Sequence, residues 1–108
     1  KKEIIQSLKY SFHSETAAIH TGHHPEISIH DEVNASGIWY LQDIFYNFNE
    51  NALTQGTALY KDKYFKTEEG WRINFSEYDR IIESVTPIDK DQKFTLNHLA
   101  KHGMKLDK

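Results

Sequence analysis

The sequence predicts an α+β fold, an antiparallel meander of about five strands behind one short N-terminal helix. Apolar and polar residues alternate with period two over long runs, most clearly through Ile38-Trp39-Tyr40-Leu41-Gln42-Asp43-Ile44-Phe45. Short clusters of Gly, Pro, Asn, Asp and Glu separate these runs, as hairpin connections require. Helical spacing is confined to the two ends of the chain.

Residues 2–9 place Ile4, Ile5 and Leu8 at helical intervals, predicting a helix of two or three turns. Residues 15–21 read as a short strand, broken by Gly22-His23-His24-Pro25 because Pro25 lacks an N–H donor. Ile27 and Ile29 alternate with polar neighbours in a half-buried strand over 26–30. After Asp31-Glu32 comes the longest strand, 33–48, which puts Val33, Ala35, Gly37, Trp39, Leu41, Asp43 and Phe45 on one face. Asn49-Glu50-Asn51 forms a turn, and alternation resumes over 53–66 with Gly56, Ala58, Tyr60, Asp62 and Tyr64 sharing a face. Thr67-Glu68-Glu69-Gly70 is a hairpin loop with Gly70 placed for a left-handed backbone. A last strand runs from Trp71 to about Val85, with Tyr78 and Arg80 on the opposite parity from Trp71, Ile73 and Phe75. Residues 1–85 make the domain, and 86–108 a tail in which Leu96, Leu99 and Ala100 suggest a short helix near 94–102, stopped by Gly103. Strands this long imply a twisted, curved sheet with a concave side suited to a small ligand.

The composition narrows the function classes. A chain of 108 residues with 38% hydrophobic content suits one domain, and two Trp, six Tyr and six Phe give it an aromatic core. A net charge of −3 with interspersed signs argues against a nucleic-acid partner, which needs a clustered basic face. The absence of Cys rules out disulfides and thiolate metal sites. No apolar run approaches the roughly 20 residues that span a bilayer, and the start of the chain does not resemble a signal peptide. The expectation is therefore a cytoplasmic protein with no membrane partner. Because the chain lacks an initiator Met, it is expected to be a piece of a longer product or one whose start is removed.

Three constellations could carry chemistry. His20, His23 and His24 invite a metal reading, but a two-His site on a helix needs positions i and i+4, and Gly22 and Pro25 break any helix here. An exposed turn is the expectation, with no metal. His20 and Asp43 lie on strands that can pair, where a carboxylate would hold the imidazole in one tautomer and strengthen it as a base. Asp43 could equally be satisfied by Arg80 or a Tyr hydroxyl. Tyr40, Tyr60, Tyr64, Tyr78 and Arg80 form a polar ring whose hydroxyls could support a developing oxyanion or could simply pack.

These motifs, taken together, resemble the SnoaL-like, or nuclear transport factor 2-like, superfamily. The resemblance rests on His20-Thr21-Gly22-His23-His24-Pro25-Glu26-Ile27-Ser28-Ile29, then Ala35-x-Gly37-x-Trp39-x-Leu41-x-Asp43, then Gly56-x-Ala58-x-Tyr60-x-Asp62-x-Tyr64, Gly70-Trp71-Arg72-Ile73 and Tyr78-x-Arg80. It implies a cone-shaped α+β fold, with a curved antiparallel sheet wrapped by N-terminal helices around an apolar pocket. Relatives include polyketide cyclases, ketosteroid isomerases and dehydratases, which implies a lyase or isomerase acting without a cofactor on a small, apolar, oxygenated substrate. By position, His20, Asp43 and Arg80 match the dehydratase catalytic set, and Trp39, Leu41, Tyr60, Tyr64 and Tyr78 would line the substrate pocket. A homodimer formed through the sheet is common in the group. Members begin with two helices that carry a catalytic Tyr and Asp. This chain starts at what resembles the third helix, so the visible catalytic set is expected to be incomplete. The alternative is a non-catalytic ligand-binding or dimerisation module of the same fold.

Overall fold

A computed structural model describes residues 2–106. The elements run α1 (Lys2–Ser11), β1 (Thr16–Gly22), β2 (Glu26–Ile29), β3 (Asn34–Asn47), β4 (Ala52–Thr67), β5 (Gly70–Pro87) and α2 (His98–His102). The strands form one sheet in the order β1-β3-β4-β5, with β2 also pairing with β3. This is the α+β arrangement expected from the alternation, with strand boundaries shifted by no more than two residues.

Connections form where side chains satisfy the turning backbone. The Asp31 carboxylate accepts the Val33 and Asn34 N–H groups at 2.8 Å each, closing the link into β3. These bonds, led by that from the Asn34 side-chain amide, hold the Asp31 carboxyl below its usual range. Asn47 Oδ1 accepts the N–H groups of Asn49 and Glu50, and Asn51 completes that turn with a φ of +52°. Asn tolerates this left-handed region better than a branched residue would. Gly70 ends the β4–β5 loop at a φ of +111°, where a side chain would strain the backbone.

Contacts divide the chain into two compact units. The first gathers the N-terminal residues through Ile19, Ile44–Gln55 and the chain from Ser84 onward. Its anchor is the turn between α1 and β1, where Thr16 is fully buried and His13 nearly so. Phe12 meets Phe45 edge-on, and Phe94 packs against both Tyr46 and Phe48. Helix α1 has the expected amphipathic spacing, but Ile4, Ile5 and Leu8 are all exposed. The C-terminal helix is shorter than 94–102. Asn97 accepts the Ala100 N–H as its N-cap, so Phe94 and Leu96 fall outside it.

The second unit comprises His20–Asp43 and Gly56–Glu83. Strand β2 pairs antiparallel with β3, Glu26 facing Ile38 and Ile29 facing Ala35. Along β3 the alternation holds: Ala35, Gly37 and Asp43 are buried while Tyr40 and Gln42 are exposed. The close approach of strand and side chain requires Gly37, where a Cβ would lie 2.8 Å from the Tyr64 hydroxyl. Ala35 and Ala58 are the buried apolar side chains of this unit.

Candidate functional site

The second unit carries a polar constellation on the sheet face of Asp43. Period-two alternation gives that face Gly37, Trp39, Leu41 and Asp43 from β3 and Gly56, Ala58, Tyr60, Asp62 and Tyr64 from β4. Ser76, Tyr78 and Arg80 of β5 meet it, confirming that they oppose Trp71, Ile73 and Phe75 in parity. Ser76 Oγ donates to Asp62 Oδ1 at 2.5 Å, and the Tyr78 ring stacks on Tyr60 at 5.3 Å.

At its centre is an ion pair. Arg80 Nη1 donates to Asp43 Oδ1 at 2.5 Å and Nη2 to Oδ2 at 3.4 Å, a two-point contact suited to the planar guanidinium. Only 9% of the Asp43 side chain and 27% of the Arg80 side chain reach solvent. Gly56 makes this geometry possible: a Cβ there would overlap the Ile82 carbonyl oxygen and the Arg80 guanidinium itself. Arg80 also pairs with Glu83 at 3.3 Å. The bond from Asp43 raises the Arg80 pKa above its ordinary value, so the guanidinium is a fixed positive charge.

A second chain of bonds runs alongside. Trp39 Nε1–H donates to the Tyr64 hydroxyl at 2.6 Å, and that hydroxyl donates to Asp62 Oδ2 at 3.1 Å. Burial raises the Tyr64 pKa, and burial together with the charges of Tyr78 and Asp43 raises that of Tyr60. Both phenols are therefore O–H donors at neutral pH.

Two backbone bonds fix the register of β1 against β3: His23 N–H to Tyr40 C=O at 2.8 Å, and Phe48 N–H to Glu15 C=O at 3.2 Å. Counted inward from either bond, the antiparallel register brings position 20 opposite position 43. His20 is an exposed residue of β1. The Asp43 carboxylate is bonded by Arg80, the rival that the sequence also offers.

Of the expected pocket residues, Trp39, Leu41, Tyr60 and Tyr64 are half-buried and Tyr78 is exposed. Tyr40 leaves the ring. It has the other parity and joins His23, Gln42, Thr57, Leu59 and Ile81 around a hollow of about 420 Å³. A hollow of about 560 Å³ in the first unit is lined by Tyr10, His13, Phe45 and Met104, among others. Among the described residues, no group of three or more His, Asp and Glu side chains is arranged to hold a metal ion.

The family model described as a SnoaL-like domain matches residues 1–77. The chain belongs to the SnoaL-like family. The match takes in β1 to β4 and the start of β5, and with them His20, Trp39, Asp43, Tyr60 and Tyr64. Tyr78 and Arg80 of the SnoaL-like domain lie just beyond the matched residues, so their place in the site rests on the sheet geometry. Sequence reasoning placed Gly56 on this face without a role in the ion pair, and it missed Ser76 altogether. The only signal for either was its parity with Tyr60 and Tyr78.

Proposed function

We propose that this SnoaL-like domain performs cofactor-independent acid–base chemistry, as a dehydratase, isomerase or cyclase, on a small, largely apolar, oxygenated substrate. The observation that carries the reading is the Asp43–Arg80 pair, shielded from water on a sheet face shared with Trp39, Tyr60 and Tyr64. Low local dielectric strengthens fixed charges and donors aimed at a reacting group. In this scheme His20 exchanges the proton next to the substrate carbonyl, supported by the register that brings position 20 opposite position 43. Asp43, anchored by Arg80, orients the imidazole. Tyr60, kept as a phenol, donates to the oxyanion as it forms.

The test is dehydration of small cyclic β-hydroxy ketones, followed by the absorbance of the enone product. Removing a positioned acid–base group costs roughly 100-fold to 10,000-fold in rate, so His20→Ala should lower kcat by that order. An unchanged kcat in His20→Ala ends the catalytic reading.

The alternative, a non-catalytic pocket module, draws support from Asp43 itself, since both its oxygens already bond Arg80. It predicts no turnover, with ligand affinity nearly unchanged in His20→Ala and Asp43→Asn. We also infer that a second copy of the chain packs on β5, whose Ile73, Phe75 and Ile81 are exposed along one edge strand. No described helix is long and apolar enough to cross a membrane.

A further inference from the structure

His20 and His24 are four residues apart but lie on no helix, whereas a helical i, i+4 pair of histidines occurs elsewhere in the chain. His98 and His102 stand one turn apart on α2, where side chains four residues apart share a face. Their ring centroids are 4.6 Å apart with planes tilted by 41°, and both residues are exposed. A single ion bonds each imidazole nitrogen at about 2.0–2.1 Å, so it can span two rings held this close.

The turn that carries them is tied at both ends. Asn97 accepts the Ala100 N–H at 3.3 Å, Gly103 N–H donates to Leu99 C=O at 2.7 Å, and Lys105 Nζ donates to Ala100 C=O at 2.6 Å. Gly103 is needed for the last turn, because a Cβ there would overlap the Leu99 carbonyl oxygen. Ser14 N–H to Met104 C=O, at 2.9 Å, anchors the same segment to the turn after α1. Two imidazoles on an already ordered turn lose little freedom when they bind together.

We propose that His98 and His102 form a two-histidine chelate for a late first-row divalent cation, with water filling the remaining coordination positions. Imidazole donors suit Cu²⁺, Zn²⁺ and Ni²⁺, and the general order of affinity places Cu²⁺ first. With no described carboxylate or third imidazole completing the set, the ion exchanges readily and remains open to outside ligands. The site lies beyond residues 1–77, outside the portion matched by the family model, and is independent of the Asp43 constellation.

The experiment is a titration of the whole chain with copper(II) chloride and, separately, with zinc chloride, by calorimetry and by residue-resolved NMR. One equivalent should bind, with paramagnetic broadening by Cu²⁺ centred on residues 97–103. Loss of one arm of a chelate removes the intramolecular advantage, so His98→Ala and His102→Ala should each weaken binding on the order of 100-fold. A double His23→Ala, His24→Ala variant should bind as the wild type does. Broadening centred on residues 20–24, affinity unchanged in His102→Ala, or no binding of either metal would each overturn the proposal. The exposed rings bear no part of the core, and His102→Gln keeps a polar side chain should the alanine variant lose the helix.

Discussion

A carboxylate taken out of water costs several kcal/mol unless a partner offsets that loss. At Asp43 the partner is Arg80, 37 residues away in sequence, which reaches it over the space left at Gly56. Replacing Arg80 with Met should therefore cost about 3 kcal/mol, since the mutation leaves Asp43 buried and uncompensated. Urea unfolding measures this directly. The double variant Asp43→Asn, Arg80→Met should recover part of the loss, because a neutral amide needs less from its surroundings. Equal stability for Arg80→Met and wild type would mean that water already compensates Asp43. The face that Asp43 occupies is legible in the sequence, because alternation along β3 needs only neighbouring residues. Arg80 is legible as one of several candidates, beside His20 and the Tyr hydroxyls. The role of Gly56 is not legible. It depends on the registers of β4 against β3 and β5, and alternation leaves those free in steps of two residues.

Among the connecting elements, the turn from α1 to β1 shows how few groups hold a junction together. Thr16 Oγ1 accepts the His13 N–H at 3.3 Å and lies within hydrogen-bonding distance of the Ser11 and His13 carbonyl oxygens, at 3.2 and 3.1 Å. The His13 ring in turn accepts the Glu15 N–H through Nδ1 at 3.1 Å, which assigns its proton to Nε2 in this tautomer. Thr16→Val keeps the shape of the side chain but strands a buried N–H, at a cost of about 1–3 kcal/mol. Thermal unfolding should show this as a clearly lowered Tm, while Thr16→Ser, which keeps the hydroxyl, should lose less. In the sequence this turn reads only as a gap between a helical and an alternating pattern, because its bonds join side chain to backbone over two to five residues without a periodic signal. Helix α2 shows the same limit. Spacing alone admits Leu96 to an apolar face, whereas the Asn97 cap starts the helix after it.

For the molecule as a whole, the exposed apolar side chains of β5 bear on association. Ile73 and Ile81 are 62% and 64% exposed, and Phe75 between them is 46% exposed. All three share one parity on a strand with a single neighbour in the sheet. Exposed apolar side chains on an edge strand are a template for pairing with another chain. Glu77 and Asp79 interrupt that parity between Phe75 and Ile81, and Lys63 lies over the Phe75 ring at 5.3 Å, so the apolar contact rests on Ile73 and Phe75 at one end and Ile81 at the other. A second copy offers the same row, and like surfaces can meet around a two-fold axis. Sedimentation equilibrium should therefore give twice the chain mass at micromolar concentrations. Ile73→Lys combined with Ile81→Lys should return the monomer, because the desolvated charges would face one another across the interface. Ile73 and Ile81 are exposed and of opposite parity to Arg80, so stability should change little in a molecule that was a monomer from the start. A dimer that survives both lysines would place the contact on another surface and leave β5 to a different partner.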